Sequence, residues 1–346
     1  MTDLIVAGGG PAGLAAAIGA VQAGLSVVLM EPRPEVIDKA CGEGLMPPTL
    51  VALDALGVAR PPGIPFAGIR YLEGATSGAA RFSLGPGLGV RRTALHGALR
   101  QRAQALGVQW IQDRVERWTE GDDWIETNGV RARWMIAADG LQSSIRERLG
   151  LSLPPGLPDR LGVRRHFTVA PWSEFVDVHW RERAEAYVTP VGPETVGIGF
   201  LFYPDAVPPG PGTPHDRLLT LFPEISERLG PPCTSVAGAG PFVKRLSSRH
   251  RGRVLLVGDA AGYMDPLTGE GIRLGLDTAQ AAVACILANA PERYERAWRR
   301  ATWRYRWLTR ALLRLRSRPW LRQRLVGTVS RRPWLLRYAL DFLNGP

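Results

Sequence analysis

The first residues of the chain whose types and spacing could do chemistry are the glycines of Gly8-Gly9-Gly10-Pro11-Ala12-Gly13, which fit the pattern GxGxxG. The apolar residues 4–7 before them predict a buried strand, and the alanine-rich residues 13–24 predict a helix. In such a unit Gly8 permits the tight turn, Gly10 lets the backbone approach a pyrophosphate, and Gly13 allows close helix packing. The helix N-terminus then faces the phosphates. A glycine-rich turn that serves only packing is the alternative.

An acidic residue lies where a dinucleotide site needs one. Residues 26–30 predict a second buried strand, and Glu31 follows it directly, 18 residues after Gly13. At that place a carboxylate can accept hydrogen bonds from an adenosine ribose. Strand, helix, strand and acid together predict a dinucleotide site, but they do not distinguish NAD from FAD.

A second motif favours FAD. Residues 254–257 predict a buried strand, and Asp259 follows it within Gly258-Asp259-Ala260-Ala261-Gly262. Asp259 could bind the ribityl hydroxyls of a flavin, and the glycines would let the backbone pass close to the isoalloxazine ring. Residues 265–272 enter a helix predicted for residues 269–289, whose N-terminal dipole would favour the negative charge of a reduced flavin. This motif argues against a plain NAD-dependent dehydrogenase.

Together with Ala138-Asp139-Gly140, Ser143 and Arg146, these motifs resemble the para-hydroxybenzoate hydroxylase superfamily of FAD-dependent oxidoreductases. The resemblance covers about residues 2–290. Within the superfamily, residues 41–45 and 265–272 are most similar to the geranylgeranyl reductase branch.

The resemblance implies that the glycine turn and Glu31 hold the ADP half of FAD. It also implies that Arg92 and residues 39–44 contact the flavin or its phosphates, and that Asp259 holds the ribityl chain. The residues expected to bind FAD are Gly8, Gly10, Pro11, Ala12, Gly13, Glu31, Lys39, Gly42, Arg92, Asp139, Asp259, Pro266, Gly269, Gly271 and Ile272.

Structural alternatives exist for three candidate residues. Arg92 precedes a helix predicted for residues 93–106 and could be a solvated surface arginine. Asp139 could cap a helix within residues 141–149, because Asp is a preferred N-cap residue. Cys41 has no other cysteine near it in sequence, so a packed small residue is favoured over a redox thiol. The five histidines do not cluster and are expected to be structural, so no metal site and no catalytic residue is predicted.

Two departures from related families bear on the substrate. Geranylgeranyl reductases carry a Tyr-x-Trp-x-Phe-Pro strand, whereas this chain has Tyr187-Val188-Thr189-Pro190-Val191-Gly192 at the matching place. The missing Trp and Phe weigh against a long prenyl substrate. The Trp-x-Trp-x-Ile-Pro motif of flavin-dependent halogenases is absent from the sequence, so halogenation is not expected.

The 346 residues, 45% apolar and 22% charged, are those of a globular protein of two or three domains. The predicted fold is α/β: a Rossmann-like FAD-binding domain (residues 1–60, 91–150 and 251–290) with an inserted, mostly antiparallel β-sheet substrate domain (residues 61–90 and 151–250) and a C-terminal helical tail (residues 291–346). Further strands are predicted for residues 108–112, 115–118, 124–127, 134–138, 163–169, 175–180, 186–190 and 196–202, and a helix for residues 215–229.

The basic charge of the chain belongs to its C-terminal tail. Residues 293–346 contain fifteen arginines, two acids and five of the eleven tryptophans, and Pro319 and Pro333 should break the helices there. Trp303 and Trp307 would share a helix face. Either the tail packs on the flavin domain and shields the pocket, or it makes peripheral membrane contact or binds an acidic protein partner. Nucleic-acid binding is not expected, since no recognition motif accompanies the arginines.

The function predicted from these residues is that of an FAD-dependent monooxygenase, which hydroxylates an apolar substrate, with an aromatic one favoured, through a flavin hydroperoxide in a water-poor cavity. Reduction of an isoprenoid-type double bond is one alternative, and modification of a side chain of a partner protein is another. NAD(P)H would bind transiently as the reductant, or a separate reductase would serve. Without a signal peptide or an apolar span, the expected location is cytoplasmic or peripheral at the inner face of a membrane.

Overall fold

Apolar runs without charged residues form the buried strands of this protein, and alanine-rich or amphipathic runs form the helices that cover them. The computed structural model describes residues 1–156, 160–316 and 319–344. Residues 157–159 of the predicted substrate domain, and residues 317–318 and 345–346 of the predicted tail, lie outside the described residues. The helices are α1 (Pro11–Gln22), α2 (Pro47–Ala55), α3 (Arg92–Ala105), α4 (Ser144–Arg148), α5 (Pro214–Leu219), α6 (Pro223–Ser226), α7 (Gly271–Leu287), α8 (Tyr294–Arg316), α9 (Pro319–Arg331) and α10 (Pro333–Asn344).

The strands form two large sheets and smaller pairings within the described ranges. In chain order they are β1 (Thr2–Ala7), β2 (Val27–Met30), β3 (Gly44–Leu45), β4 (Ile64–Phe66), β5 (Gly68–Glu73), β6 (Thr76–Arg81), β7 (Gly87–Gly89), β8 (Gln109–Ile111), β9 (Thr119–Glu120), β10 (Ile125–Thr127), β11 (Val130–Ala137), β12 (Ser152–Leu153), β13 (Leu161–Thr168), β14 (Phe175–Trp180), β15 (Ala184–Gly192), β16 (Thr195–Phe202), β17 (Ala237–Ala239), β18 (Arg245–Leu246), β19 (His250–Arg251) and β20 (Val254–Leu256).

The first large sheet has β1 at its centre. Its order is β19-β20-β11-β1-β2-β8, and β11, β1, β2, β8 and β20 pair in parallel. The outer strands β19, β10 and β9 are antiparallel. Leu4, Ile5 and Val6 of β1 are fully buried, and burial of each such side chain stabilises the fold by about 1.5–3 kcal/mol. This is the parallel, helix-covered sheet expected of a Rossmann-like domain.

The second large sheet has the order β17-β13-β16-β15-β14-β5-β6. It is antiparallel except where β14 pairs in parallel with β5, so the predicted α/β fold with a mostly antiparallel second sheet is confirmed. Phe200 of β16 packs with Phe222 and Leu218 from the helices beside it. The strands of this sheet lie within residues 68–81 and 161–239, and the proposed domain boundaries stay a prediction.

Most of the predicted elements are present, with ends shifted by one to four residues, but two predictions are wrong. Residues 115–118 form no strand, because side chains bind the carbonyl groups that a neighbouring strand would use. Thr127 Oγ1 donates to the Arg117 carbonyl at 2.6 Å, and Asn128 Nδ2 donates to the Arg114 carbonyl at 3.2 Å. The helix predicted for residues 215–229 is split into α5 and α6, since Pro223 lacks an N–H and restricts the residue before it.

The tail helices cover both sheets. Tyr294 and Trp298 on α8 are buried, and the Tyr294 hydroxyl donates to the Leu256 carbonyl at 2.7 Å. Helix α9 instead lies on β6, where a Cβ added to Gly78 would be 2.6 Å from Val329 Cγ1. The predicted breaks are confirmed, because α9 and α10 begin at Pro319 and Pro333. Among the described residues, every helix is too short or too polar to span a bilayer.

Candidate functional site

Four of the predicted site residues follow the carboxyl ends of neighbouring parallel strands. Gly8 follows β1, Glu31 follows β2, Asp139 lies two residues after β11, and Asp259 lies three residues after β20. These strands are adjacent in the order β20-β11-β1-β2. Because the carboxyl ends of parallel strands meet at one edge of a sheet, the four residues converge on one crevice.

Three of the four glycines in the turn are needed for different structural reasons. Gly8 has φ +110°, and a Cβ there would be 2.5 Å from the Ala138 carbonyl oxygen. Gly10 has open space around an added Cβ and lines the crevice. Gly13 lies behind the turn, where a Cβ would be 1.9 Å from the Gly8 carbonyl oxygen. Gly13 therefore lets α1 pack on the turn, while Gly8 and Gly10 shape the crevice. That Gly13 also contacts the cofactor stays a prediction.

The Glu31 carboxylate is buried at the end of β2. Its Oε2 accepts a hydrogen bond from the Gly9 N–H at 2.8 Å, and its Oε1 accepts from Arg33 Nε at 2.7 Å. Burial raises the pKa of Glu31, but the bonds from Arg33 and Gly9 outweigh it and hold that pKa below its ordinary value. An ionised carboxylate at this place can accept further bonds from the hydroxyls of a ribose.

Two cations line the crevice: Arg92 is buried, and Lys39 is partly desolvated although its side chain is exposed. Arg92 begins α3 and is only 5% exposed, so the surface-arginine alternative is wrong. Within the described residues, its Nη1 has no hydrogen-bond partner. Desolvation lowers the pKa of both Arg92 and Lys39. A buried guanidinium N–H without a partner is costly unless a ligand accepts its bond, so the crevice fits an anionic group such as a pyrophosphate.

Asp139 and Asp259 are half-buried, and desolvation raises the pKa of each. Asp139 Oδ2 accepts from the Ile145 N–H at 3.2 Å, whereas the N-cap of α4 is Ser143. Asp139 Oδ2 thus binds an N–H at the start of α4, as the capping alternative expects. Asp139 Oδ1 has no hydrogen-bond partner among the described residues. Asp259 lies near Lys39 and lines the crevice.

The loop after β20 packs directly on the glycine turn. A Cβ added to Gly258 would be 2.8 Å from the Cβ of Ala12, so the two motifs approach closely. Further along, Pro266, Gly269, Gly271 and Ile272 line the crevice, and α7 begins at Gly271. The N-terminus of α7 therefore faces the space beside Asp259, as the sequence predicts.

The crevice continues into a cavity of about 710 Å³ that reaches the second sheet. All of the predicted FAD-binding residues except Gly13 line it. Its far end is mostly apolar and is formed by Ile69, Val176, Val178, Phe200, Leu201 and Phe242, with Tyr71, Tyr187 and Thr189 beside them. One cavity thus has a charged end and an apolar end. We name the charged end, beside the glycine turn, the nucleotide end and the apolar end, at the second sheet, the substrate end, after the ligands that the sequence predicts there.

The structure also places a buried acid–imidazole pair at the junction of these two ends. Glu43 has φ +59°, and its Oε1 accepts from the Arg92 N–H at 2.7 Å. Its Oε2 lies 2.5 Å from His166 Nε2 on β13, and His166 Nδ1 lies 3.0 Å from Thr234 Oγ1. Sequence reasoning missed this pair because its members are 123 residues apart. Glu43 lies within residues 39–44, which are expected near the flavin, but nothing in the sequence indicates His166 as its partner.

A second group of buried side chains connects the loop after β20 to the second sheet by hydrogen bonds and ion pairs. Arg160 Nη1 is 3.0 Å from Asp265 Oδ1, and Arg160 Nη2 is 2.9 Å from Glu185 Oε2. The Tyr187 hydroxyl donates to Glu185 Oε2 at 2.9 Å, and the Tyr305 hydroxyl donates to the Asp265 carbonyl at 2.7 Å. These contacts hold the loop between β15 and α8.

In residues 1–156, 160–316 and 319–344, no group of three or more His, Cys, Asp or Glu side chains is placed to hold a metal.

Known proteins share both the motif and the fold. The profile of the family described as FAD dependent oxidoreductase matches residues 3–36. Protoasukamycin 4-monooxygenase of Streptomyces nodosus subsp. asukaensis is 31% identical, over 86% of this chain and 84% of that protein. The chain belongs to the FAD-dependent oxidoreductases. The resemblance to the para-hydroxybenzoate hydroxylase superfamily is thereby confirmed.

This oxidoreductase is also 28% identical to digeranylgeranylglycerophospholipid reductase 1 of Methanopyrus kandleri, over 79% of this chain and 77% of that protein. Among solved structures, the flavin-dependent brominase Bmp2 has a TM-score of 0.83 at 18% identity, covering 99% of this chain and 93% of that one. At that identity the likeness shows the fold alone. The relatives thus include both a monooxygenase and a reductase.

The crevice of this oxidoreductase fits FAD on its own evidence. Gly10 leaves open space beside the N-terminus of α1, and the Arg92 guanidinium keeps an unpartnered N–H. Glu31 and Asp259 follow β2 and β20, two strands whose carboxyl ends lie at the same edge of the first sheet. These groups could hold the pyrophosphate, the adenosine ribose and the ribityl chain. Which of them contact FAD stays a prediction.

Proposed function

We propose that this FAD-dependent oxidoreductase is a monooxygenase that hydroxylates an apolar, aromatic substrate. The observation that carries the proposal is the single cavity whose nucleotide end is charged and whose far end is walled by apolar side chains of the second sheet. Such walls exclude water and favour a ligand that is itself apolar.

The polar groups at the apolar end are mostly engaged by the protein itself. The Tyr187 hydroxyl donates to Glu185, and the Thr189 hydroxyl donates to the Gly42 carbonyl at 2.8 Å. Tyr71 also lines the cavity, and its ring is held against Trp180 with centroids 4.9 Å apart. Burial raises the pKa of Tyr71, so its hydroxyl stays protonated at neutral pH. We therefore assign Tyr71 to donate a hydrogen bond to an oxygen of the substrate.

When bound and reduced, FAD supplies the two electrons that activate dioxygen. One oxygen atom would be inserted into a C–H bond of the substrate, and the other would take up the two electrons and two protons and leave as water. The electrons come from NAD(P)H, which binds transiently, or from a separate reductase. The chain's part is to position the substrate ring, to exclude water from the apolar end and to keep Tyr71 protonated.

Reduction of a carbon–carbon double bond is the second candidate, and Cys41 favours it. Cys41 lines the cavity, and burial raises the pKa of its thiol, so the sulfur holds a proton at neutral pH. That proton could be transferred to one carbon of the double bond while the flavin supplies hydride to the other. Because one relative is named as a reductase, this candidate is tested beside the first.

The decisive experiment measures whether an oxygen atom of O₂ is incorporated into the product. The bound flavin is reduced anaerobically, ¹⁸O₂ is admitted, and products from a panel of phenols and quinols with apolar side chains are analysed by mass spectrometry. Monooxygenation gives products with one ¹⁸O atom and no turnover without oxygen. Products that lack ¹⁸O, formed anaerobically at full rate, would reject the proposal in favour of reduction. In that case Cys41→Ser should slow the reaction at least about tenfold.

The role assigned to Tyr71 has its own test. Tyr71→Phe keeps the ring and removes the hydroxyl, so it should raise KM for an oxygen-bearing substrate about five- to tenfold, the worth of one hydrogen bond. The FAD content should stay as in the parent protein, since Tyr71 belongs to the far end of the cavity. Trp180→Phe, which keeps the Tyr71 hydroxyl, serves as the matched control and should change KM less.

A further inference from the structure

Five aromatic side chains form a continuous strip on the outer side of the tail. Trp334, Tyr338 and Phe342 are spaced by four residues along α10, so they share one face of that helix. The Phe342 ring lies 5.5 Å from the Trp303 ring and 5.6 Å from the Trp307 ring, centroid to centroid, and both tryptophans are on α8. We name these five residues the aromatic strip.

Four of the five side chains of the aromatic strip are exposed, and Phe342 is half-buried, although other positions of these helices are buried. Trp303 is 49% exposed, Trp307 60%, Trp334 56% and Tyr338 69%. On α8 the buried positions are instead Tyr294, Trp298, Thr302, Tyr305 and Thr309, which recur every three or four residues. The amphipathic pattern of α8 is therefore satisfied without the strip. A contiguous exposed surface of large aromatic side chains marks an interaction site.

The surroundings of the aromatic strip are strongly cationic. The Arg304 guanidinium lies over the Trp303 and Phe342 rings, at 5.4 Å and 5.5 Å from their centroids. Both acids of residues 293–346 are engaged elsewhere: Glu295 pairs with Arg249 at 3.0 Å, and Asp341 accepts a hydrogen bond from a serine hydroxyl. The exposed arginines near the strip include Arg299, Arg300, Arg310, Arg331, Arg332 and Arg337.

We propose that the aromatic strip docks this protein on an anionic membrane surface. Tryptophan and tyrosine favour the boundary between headgroups and acyl chains, and arginines beside them attract anionic lipid. A second copy of the chain fits less well, because a two-fold contact through the strip would bring two arginine-rich surfaces together. An acidic protein would satisfy the arginines, but it would not account for the exposed tryptophan and tyrosine rings, which suit the boundary between headgroups and acyl chains.

The docking surface adjoins the cavity without being part of it. Helix α8 carries Trp303 and Trp307 on its outer side and Tyr305 on its inner side. The Tyr305 hydroxyl contacts both the carbonyl and the N–H of Asp265, at 2.7 Å and 3.1 Å, in the loop that lines the cavity. Membrane docking goes beyond the proposed reaction and does not depend on it, since vesicle binding is measured without turnover.

The test is cosedimentation of the FAD-loaded full chain with vesicles of phosphatidylcholine alone or of phosphatidylcholine with phosphatidylglycerol, at low and high salt. We expect binding to the anionic vesicles only, weakened by salt. Trp334→Ser combined with Tyr338→Ser should lower the affinity at least about tenfold, and Arg337→Glu should do so at low salt. Brominated lipids should quench the tryptophan fluorescence of the parent protein more than that of the double variant.

Matched controls separate docking from folding. Val51→Ser removes an exposed apolar side chain from α2, and Arg148→Glu reverses an exposed charge on α4; both should bind vesicles like the parent protein. Yellow colour and FAD content report the fold of every variant. The proposal is overturned if the parent protein fails to bind anionic vesicles at low salt, or if the strip variants bind as well as the controls. It is also overturned if the parent protein is a dimer in sedimentation velocity that the strip variants convert to a monomer.

Discussion

The two ends of the cavity are built from different kinds of sequence information. At the nucleotide end, Gly8, Glu31 and Asp259 each stand just after a strand of one sheet, in turns of a few residues. At the substrate end, Ile69, Phe200 and other apolar residues come from strands far apart in the chain.

Because of this difference, we expect the two ends of the cavity to respond differently to amino-acid substitution. Backbone turns that approach within van der Waals contact of one another leave no room for an added atom, so the nucleotide end should be intolerant of substitution. Apolar walls around an open space accept altered volume, so the substrate end should change specificity before it changes the fold. The following predictions test that contrast, from the largest expected effect to the smallest.

The largest effect is expected at the glycine turn. In Gly13→Ala the new Cβ would overlap the Gly8 carbonyl oxygen at 1.9 Å, so α1 must move away from β1. We expect a loss of about 3 kcal/mol or more in the free energy of unfolding, with no FAD retained. Denaturant unfolding and the absorbance of the purified protein measure both effects.

Gly10→Ala is the matched control within the same turn. An added Cβ at Gly10 meets no atom within 4 Å but points to the space where a pyrophosphate would lie. The free energy of unfolding should change by less than about 1 kcal/mol, while the Kd for FAD rises. If Gly10→Ala binds FAD like the parent protein, the pyrophosphate does not lie against this turn.

The second prediction compares Asp139 and Asp259, the two half-buried aspartates that line the cavity. Asp259→Ala should raise the Kd for FAD about ten- to a hundredfold, because it removes a charged acceptor from the cavity. Asp139→Ala should have a smaller effect, since one of its oxygens is already bound to the Ile145 N–H. Asp205 is an exposed acid that follows β16 of the second sheet, and Asp205→Ala should leave the Kd for FAD unchanged. Fluorescence titration of the apoprotein with FAD gives the three constants, and equal losses for Asp139 and Asp259 would contradict the assignment.

The third prediction concerns acid and compares one histidine from each region. Burial lowers the pKa of His96, beneath the glycine turn, and of His215, in the second sheet, each to about 4. Both are therefore neutral when folded, and stability is fully present above the unfolded value near 6.5. As pH falls from 6.5 towards 4, the unfolded state binds more protons, so each histidine costs up to about 3 kcal/mol of stability.

Protonation of His96 should promote the release of FAD at low pH, whereas protonation of His215 should not. His96 Nε2 lies 2.8 Å from the Gly9 carbonyl, whereas His215 Nε2 lies 3.1 Å from the Ile198 carbonyl of β16. His96→Gln should therefore lessen the loss of FAD between pH 6.5 and 4, and His215→Gln should not. Flavin fluorescence and thermal unfolding are recorded together across this pH range. Identical FAD release in both variants and the parent protein would refute the difference.

The smallest effect on the fold is expected at the substrate end. A Cβ added to Gly199 on β16 would have its nearest neighbours at 4.0 Å, and Gly199 lines the cavity. Gly199→Val should keep FAD binding within about twofold and lower kcat/KM for a bulky substrate at least about tenfold by filling space. Thr195→Val, on the same strand but off the cavity, is the control. Unchanged turnover in Gly199→Val would place the substrate elsewhere.

Local patterns in the sequence were sufficient to predict the strands, turns and helices that form the nucleotide end. The turn before α1, the acid after β2 and the loop after β20 are each specified within a few residues by glycine, apolar runs and one carboxylate. Such segments can be predicted because a strand, a tight turn and a helix N-terminus depend on neighbouring residues and on backbone geometry. Even here the strand predicted for residues 115–118 was wrong, since Thr127 and Asn128 bind that backbone from a later segment.

Only the tertiary structure decided the junction of the two ends and the outer surface of the tail. The Glu43–His166 pair joins residues 123 positions apart, and the Phe342 ring meets Trp303 and Trp307 across two helices separated by α9. The amphipathic pattern of the tail showed that one helix face is apolar, but not which aromatic residues the core would leave outside. The reason is physical: burial depends on what packs against a face, and that partner is chosen by the whole chain rather than by the residues nearby.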